Sequence, residues 1–186
     1  MSEDIVIQQA APTLAGIKTG SLFTYPCAVE QRAQFLEELR QFNRRLFPKG
    51  LRMIPVRFSE IRVLLYLFRP SSLEQDLQSR IAVELLNDAG YTNSRDCSRC
   101  VAHLIRRVRE NEEFPHEIGL FLGYPPEDVK GFIDNHAQNF KYTGVWKVYG
   151  DLDTALAQFA RFENCTKIYC KCWAAGYSME RLAVAG

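Results

Sequence analysis

No apolar run in this chain approaches a membrane span. The longest, residues 63–68, is a fraction of the roughly 20 residues a transmembrane helix needs. The opening Met1-Ser-Glu-Asp has neither the basic start nor the apolar core of a signal peptide, so the expected location is the cytoplasm, with no membrane partner. Neither sign of charge prevails: 23 Lys and Arg face 22 Asp and Glu, for a net charge of +1. No overall field therefore draws the chain onto nucleic acid or an anionic surface. Internal repeats, low-complexity tracts and inter-domain linkers are missing, and so is the spacing of a P-loop. Six cysteines in a reducing compartment read as thiols rather than bridges.

What is present is enough for a core. The 186 residues, 47% hydrophobic and 12% aromatic, suit one globular domain over 1–186 without metal or disulfide staples. A weak amphipathic helix is expected over 3–9, stopped before Pro12. A stronger one is predicted over 28–47, where Val29, Leu36, Leu39, Phe42 and Leu46 recur at helical spacing. Residues 51–69 read as a β-hairpin. Pro55 assigns the first arm to a sheet edge, and the nearly all-apolar second arm, 61–68, should be central. Helical pieces follow at 71–78, 79–89 and 95–110, then a strand over 142–149 carrying Val145, Trp146 and Val148. Asp151 caps a helix containing Leu152, Leu156, Phe159 and Phe162. Residues 165–173 fit either strand or helix, and helix is preferred; Ser178 caps a last turn. The pattern is an α+β domain with a small, mostly antiparallel sheet, built on the 51–69 hairpin and the 144–149 strand and covered by helices.

The most informative stretch is 114–126, Phe114-Pro-His-Glu-Ile-Gly-Leu-Phe-Leu-Gly-Tyr-Pro-Pro126. Pro115 suits a first helical position, Gly123 a left-handed cap, and Glu127 and Asp128 the start of a second helix. His116 beside Glu117 at a helix start has the makings of a general base or ligand with its orienting carboxylate. The alternative is a packing motif in which His116 bonds a neighbouring carbonyl. Upstream, Lys18 is the only charge in a run of small residues and hydroxyls that includes Thr13, and it could meet an anionic group; tight packing with Lys18 reaching water is the bland alternative.

On the 95–110 helix, Cys97 and Cys100 join Val101, Leu104, Ile105 and Val108 on the apolar arc, so this C-x-x-C is expected to be buried and structural. Arg95, Arg99, Arg106 and Arg109 gather on the other side. They form a solvated face or a docking face for a protein partner; without interleaved aromatics, nucleic acid is a poor fit. Cys165, Cys170 and Cys172 lack the spacing of a zinc site, and no metal ligands are assigned.

Four segments together carry a resemblance: Ala-Pro-Thr-Leu-Ala-Gly-Ile-Lys at 11–18, the 114–125 motif, Gly-Val-Trp-Lys-Val-Tyr-Gly at 144–150, and the ending with Cys165, Tyr169, Trp173 and Gly176. They are similar to an uncharacterised bacterial group, domain of unknown function family 3793, over about residues 9–185. Members often carry a cysteine just before the Ala-Pro-Thr stretch; here that place is Ala10, which excludes a thiol mechanism there. The resemblance transfers no reaction and no cofactor, and it hints at redox or iron physiology.

The leading expectation is a ligand-binding protein or enzyme for a small anionic ligand. Lys18 and Thr13 would meet the anion, His116 and Glu117 are the catalytic candidates, and Tyr124 and Trp146 would form aromatic walls. The alternatives are a non-catalytic partner-docking protein using the arginine face, and a thiol-based metal or redox sensor.

Overall fold

The computed structural model describes residues 1–93, 96–111 and 113–186, so Arg95 of the arginine face lies outside the described residues. The fold is α+β, and the chain divides into two compact units, Met1–Ser71 with Asn164–Gly186, and Ser72–Glu163. Among the described residues no helix is long and apolar enough to cross a membrane.

The first unit opens with α1, Glu3–Leu14. The first helical piece ends at Ala10, before Pro12 as expected, and Pro12 lies in a second piece that continues the element past the kink. Proline lacks an N–H and collides with the carbonyl four residues back. Ala10 absorbs the conflict by leaving helical geometry (φ −137°), so Pro12 falls in the first turn of a new helical piece, where it is tolerated. Gly16, at φ +74°, turns the chain into a strand that is not among the elements expected from the sequence, β1, Gly20–Pro26. Helix α2, Arg32–Leu46, buries Leu39, Phe42 and Leu46 as its periodicity predicts, with Phe35 in addition, whereas Leu36 is half-buried and Val29, ahead of the helix, is exposed.

Strands β2, Arg52–Phe58, and β3, Arg62–Phe68, form the expected hairpin. The sheet order is β1-β3-β2, all antiparallel, which makes β3 central and puts the Pro55 strand at an edge. The register of β2 slips between Pro55 and Arg57, leaving Val56 as an extra residue. That bulge puts Met53 and Phe58, opposite Leu67 and Val63, against the same core although they are five positions apart, where strict alternation would send them to opposite faces. The place expected for 144–149 in this sheet is taken by β1.

Arg69, at the end of β3, is 2% exposed. Its Nε donates to the carbonyl of Thr13, Nη2 to those of Leu14 and Val184, and Nη1 to that of Lys49. A buried guanidinium here is met by four carbonyl dipoles, two of them from the C-terminal end of α1, where the helix dipole favours a cation.

The second unit begins within α3, Pro70–Asp76, and continues with α4, Arg80–Asp88, and α5, Cys97–Glu110. Ser79 and Asp96 cap the latter two. Cys100 is buried as expected, while Cys97 is half-buried rather than fully inside. Burial and the neighbouring Cys100 push the Cys97 thiol up to about 11. Helices α6, Ile118–Phe121, and α7, Pro126–Asp134, follow. Residues 142–149 are not one strand. They fold back as a two-stranded ladder, β4, Tyr142–Thr143, and β5, Lys147–Val148. Gly144 allows the reversal: a Cβ there would lie 2.3 Å from the Phe159 ring. The two helices expected after Asp151 are a single one, α8, Leu152–Ala174, whose residues divide between the units at 163/164. The last helix, α9, Met179–Leu182, is capped by Ser178 as predicted.

Candidate functional site

The 114–126 motif folds as a turn, a short helix and a corner. Helix α6 starts three residues after Pro115, so His116 and Glu117 occupy the turn that precedes it. Gly123 has φ +73° and ends the helix in the left-handed conformation expected of it. Gly119 is required for a different reason: a Cβ there would come within 2.8 Å of Val129 and 3.2 Å of Tyr124, so its bare backbone lets α6 lie against α7 and the Tyr124 ring. Pro126 then opens α7 at a position where a missing N–H costs nothing.

His116 and Glu117 part company in this turn. Glu117 is 3% exposed; its Oε1 accepts the Tyr91 hydroxyl at 3.1 Å and lies 2.7 Å from Arg107 Nε. Burial first, and then the Glu117 charge, push the Tyr91 phenol far up. His116 is exposed, and its ring meets Phe132 edge-on at 5.1 Å. The expected orienting pair is therefore not formed: adjacent residues of a tight turn direct their side chains apart, one into the core and one to the surface.

His116, Tyr124 and Trp146 do come together. They line a pocket of about 350 Å³ within the second unit, with Phe132 and Lys147. The Tyr124 and Trp146 rings are 5.0 Å apart and tilted by 31°. Burial pushes the Tyr124 phenol up to about 12. Lys147 Nζ donates to the Ala137 carbonyl at 2.8 Å and lies over the rings of Phe140 and Phe132. That carbonyl belongs to a loop in which His136, Ala137 and Asn139 all have positive φ.

The pocket is organised by a residue that sequence reading treated only as a helix opener. Asp128 is 3% exposed. Its Oδ2 accepts the indole N–H of Trp146 at 2.7 Å, and its Oδ1 accepts the backbone N–H groups of Tyr149 and Gly150, each at 2.7 Å. One buried carboxylate thus satisfies three donors and fixes both the Trp146 wall and the chain behind it. Two signals bore on the missed residues: an acid in a first helical turn, and a lysine inside Gly-Val-Trp-Lys-Val-Tyr-Gly. Neither specifies a partner.

Lys18 and Thr13 belong to the first unit. Thr13 is wholly buried, its hydroxyl bonded to that of Ser21 at 2.9 Å and its carbonyl to Arg69, so it is a packing residue there and not an open ligand contact. Lys18 lies half-buried between α1 and β1, and burial lowers its ammonium pKa to about 8. On α5, Arg99, Arg106 and Arg109 are exposed. Arg99 pairs with Asp96 at 3.2 Å and Arg106 Nη2 lies 3.2 Å from His103 Nδ1. Among the described residues no group of three or more His, Cys, Asp or Glu is placed to hold a metal ion.

The pocket of the second unit is walled by aromatic rings, with Lys147 on its lining. The chain belongs to the family described as protein of unknown function DUF3793, whose model matches residues 6–183. Neither the comparison with curated proteins nor that with solved structures gives a match.

Proposed function

We propose that the protein binds a small anionic ligand in the pocket of its second unit, with an apolar body between the aromatic walls and its charge toward Lys147 and His116. The observation that carries this reading is the pocket itself. At about 350 Å³ it falls in the range of small-molecule sites, roughly 300–1,000 Å³, and it combines apolar walls with few polar groups, as such sites do. The reading is binding rather than catalysis. Glu117 is engaged with Tyr91 and Arg107, and both Asp128 oxygens are taken by donors. Among the described residues, neither of these carboxylates is left for His116 to work with as an acid–base pair. The setting we propose is the cytoplasm, where six cysteine thiols are chemically at home.

Titration with 1-anilinonaphthalene-8-sulfonate, an aromatic sulfonate, tests the reading. One equivalent should bind with enhanced fluorescence, and Val145→Trp, which fills the pocket from its exposed rim, should weaken uptake at least tenfold without changing the melting temperature. No uptake, or uptake that Val145→Trp leaves unchanged, sinks the proposal and returns the arginine face of α5 to first place as a protein-docking surface.

A further inference from the structure

The charge and the walls of this pocket narrow its ligand to one chemical class; the step rests on the binding reading above. Lys147 is the centre of the case. Its ammonium is half-buried, with Nζ 4.5 Å from the ring centre of Phe140 and 5.8 Å from that of Phe132. One of its three donor hydrogens goes to the Ala137 carbonyl. Among the described residues no carboxylate forms an ion pair with it. The carboxylate on the pocket lining, that of Asp128, already accepts three N–H groups. A cation drawn partly out of water onto aromatic faces, with two donors left over, is stabilised most by an anion brought to it.

The number of cations limits the size of that anion. Sites for phosphate groups collect arginine forks, several cations or the N–H groups of a helix start. Among the described residues one lysine and one histidine line the pocket, which suits a single negative charge. The walls select the body. Trp146 and Tyr124 present broad rings, Phe132 stands between His116 and Lys147, and among the described residues Thr143 is the one aliphatic hydroxyl on the lining. A sugar or polyol would leave its hydroxyls unpaired against such walls, whereas a planar π system gains from stacked and edge-on contacts. We propose that the pocket takes a planar aromatic monoanion, an arene carboxylate, whose ring lies against Trp146 and Phe132 and whose carboxylate meets Lys147 Nζ.

Calorimetric titration of the full chain with three matched probes tests this, with the indole N–H resonance of Trp146 reporting where each binds. The probes are 2-naphthoate, the neutral 2-naphthalenemethanol, and the saturated decahydro-2-naphthoate. Naphthoate should bind at least tenfold more tightly than either of the others and shift the Trp146 resonance. Lys147→Met should reduce it to the level of the alcohol, while Lys147→Arg retains most of the affinity. If the alcohol or the saturated acid binds as tightly as naphthoate, or Lys147→Met leaves naphthoate affinity unchanged, the inference is wrong. Continued uptake of anilinonaphthalene sulfonate would then show that the binding reading survives it. If neither naphthoate nor the sulfonate binds, both fall together.

Discussion

The carboxylate of Asp128 accepts the indole N–H of Trp146 at 2.7 Å, so the first turn of α7 dictates how one wall of the pocket stands. The same carboxylate holds the N–H groups of Tyr149 and Gly150. Asp128→Asn keeps the volume but replaces one acceptor oxygen with an N–H₂ donor, which must then face another donor. Hydrogen bonds to a charged group contribute about 1.5–3 kcal/mol, and a buried donor left unpaired costs about 1–3 kcal/mol. The variant should lose about 2 kcal/mol in urea unfolding, and on a Trp173→Phe background the Trp146 emission should move to longer wavelength. Coincident unfolding curves and unchanged emission would show that the carboxylate does not position the indole.

Arg69 plays the corresponding part in the first unit, donating to four carbonyls from three distant places in the chain, Thr13 and Leu14, Lys49, and Val184. Lysine keeps the charge but not the fork, and one ammonium cannot reach all four acceptors. Arg69→Lys should therefore destabilise by about 2–4 kcal/mol, in the range of a disrupted buried network. A melting temperature unchanged from wild type would show that the carbonyls find other donors.

The loop that accepts Lys147 carries backbone strain. Ala137 has φ +61°, a conformation that costs an L-residue about 1–2 kcal/mol, and glycine adopts it freely. After the entropy that glycine adds to the unfolded chain, Ala137→Gly should stabilise by about 0.5–1 kcal/mol. Ala137→Val, with its branched Cβ, should do the reverse. Differential scanning calorimetry of the pair is the check, and a lower melting point for the glycine variant counts against the strain.

Lys18 gives a pH signature. Burial lowers its pKa to about 8 from the usual 10.5, so the folded state disfavours the protonated form. The penalty is present in full below pH 8 and fades as pH rises from about 8 toward 10.5, because the unfolded chain binds the proton over that window and the folded chain does not. Stability of the wild type relative to Lys18→Met should therefore rise over this interval, which removes the shared titrations of cysteines and tyrosines from the comparison. A difference independent of pH between 7 and 10 would mean that the ammonium is as well solvated folded as unfolded.

Much of the local structure was legible beforehand. The α2 stripe, the hairpin with Pro55 at its edge, the left-handed Gly123 and the Ser178 cap follow from periodicity and from residues with few allowed conformations. The misses share a cause. Strand β1, Gly-Ser-Leu-Phe-Thr-Tyr-Pro, carries no clean apolar alternation, and its assignment depends on the pairing that β3 offers on its free side. Residues 142–149 have strand propensity, but Gly144 packed on Phe159 reverses the chain, and that contact is made by residues 15 positions apart.

The sequence by itself determined the class of protein and the existence of its aromatic motif: backbone preferences and apolar spacing act over a few residues and need no partner. It also marked His116, Tyr124 and Trp146, three lining residues of the pocket. Only the tertiary structure decided that Glu117 turns away from His116 to Tyr91 and Arg107, that Thr13 is sealed in packing, and that Asp128 and Lys147 shape the site. A carboxylate or an ammonium has no preferred partner along the chain. Its role is set by which donors, acceptors and rings arrive beside it once water is excluded, and that follows from the packing of segments distant in sequence.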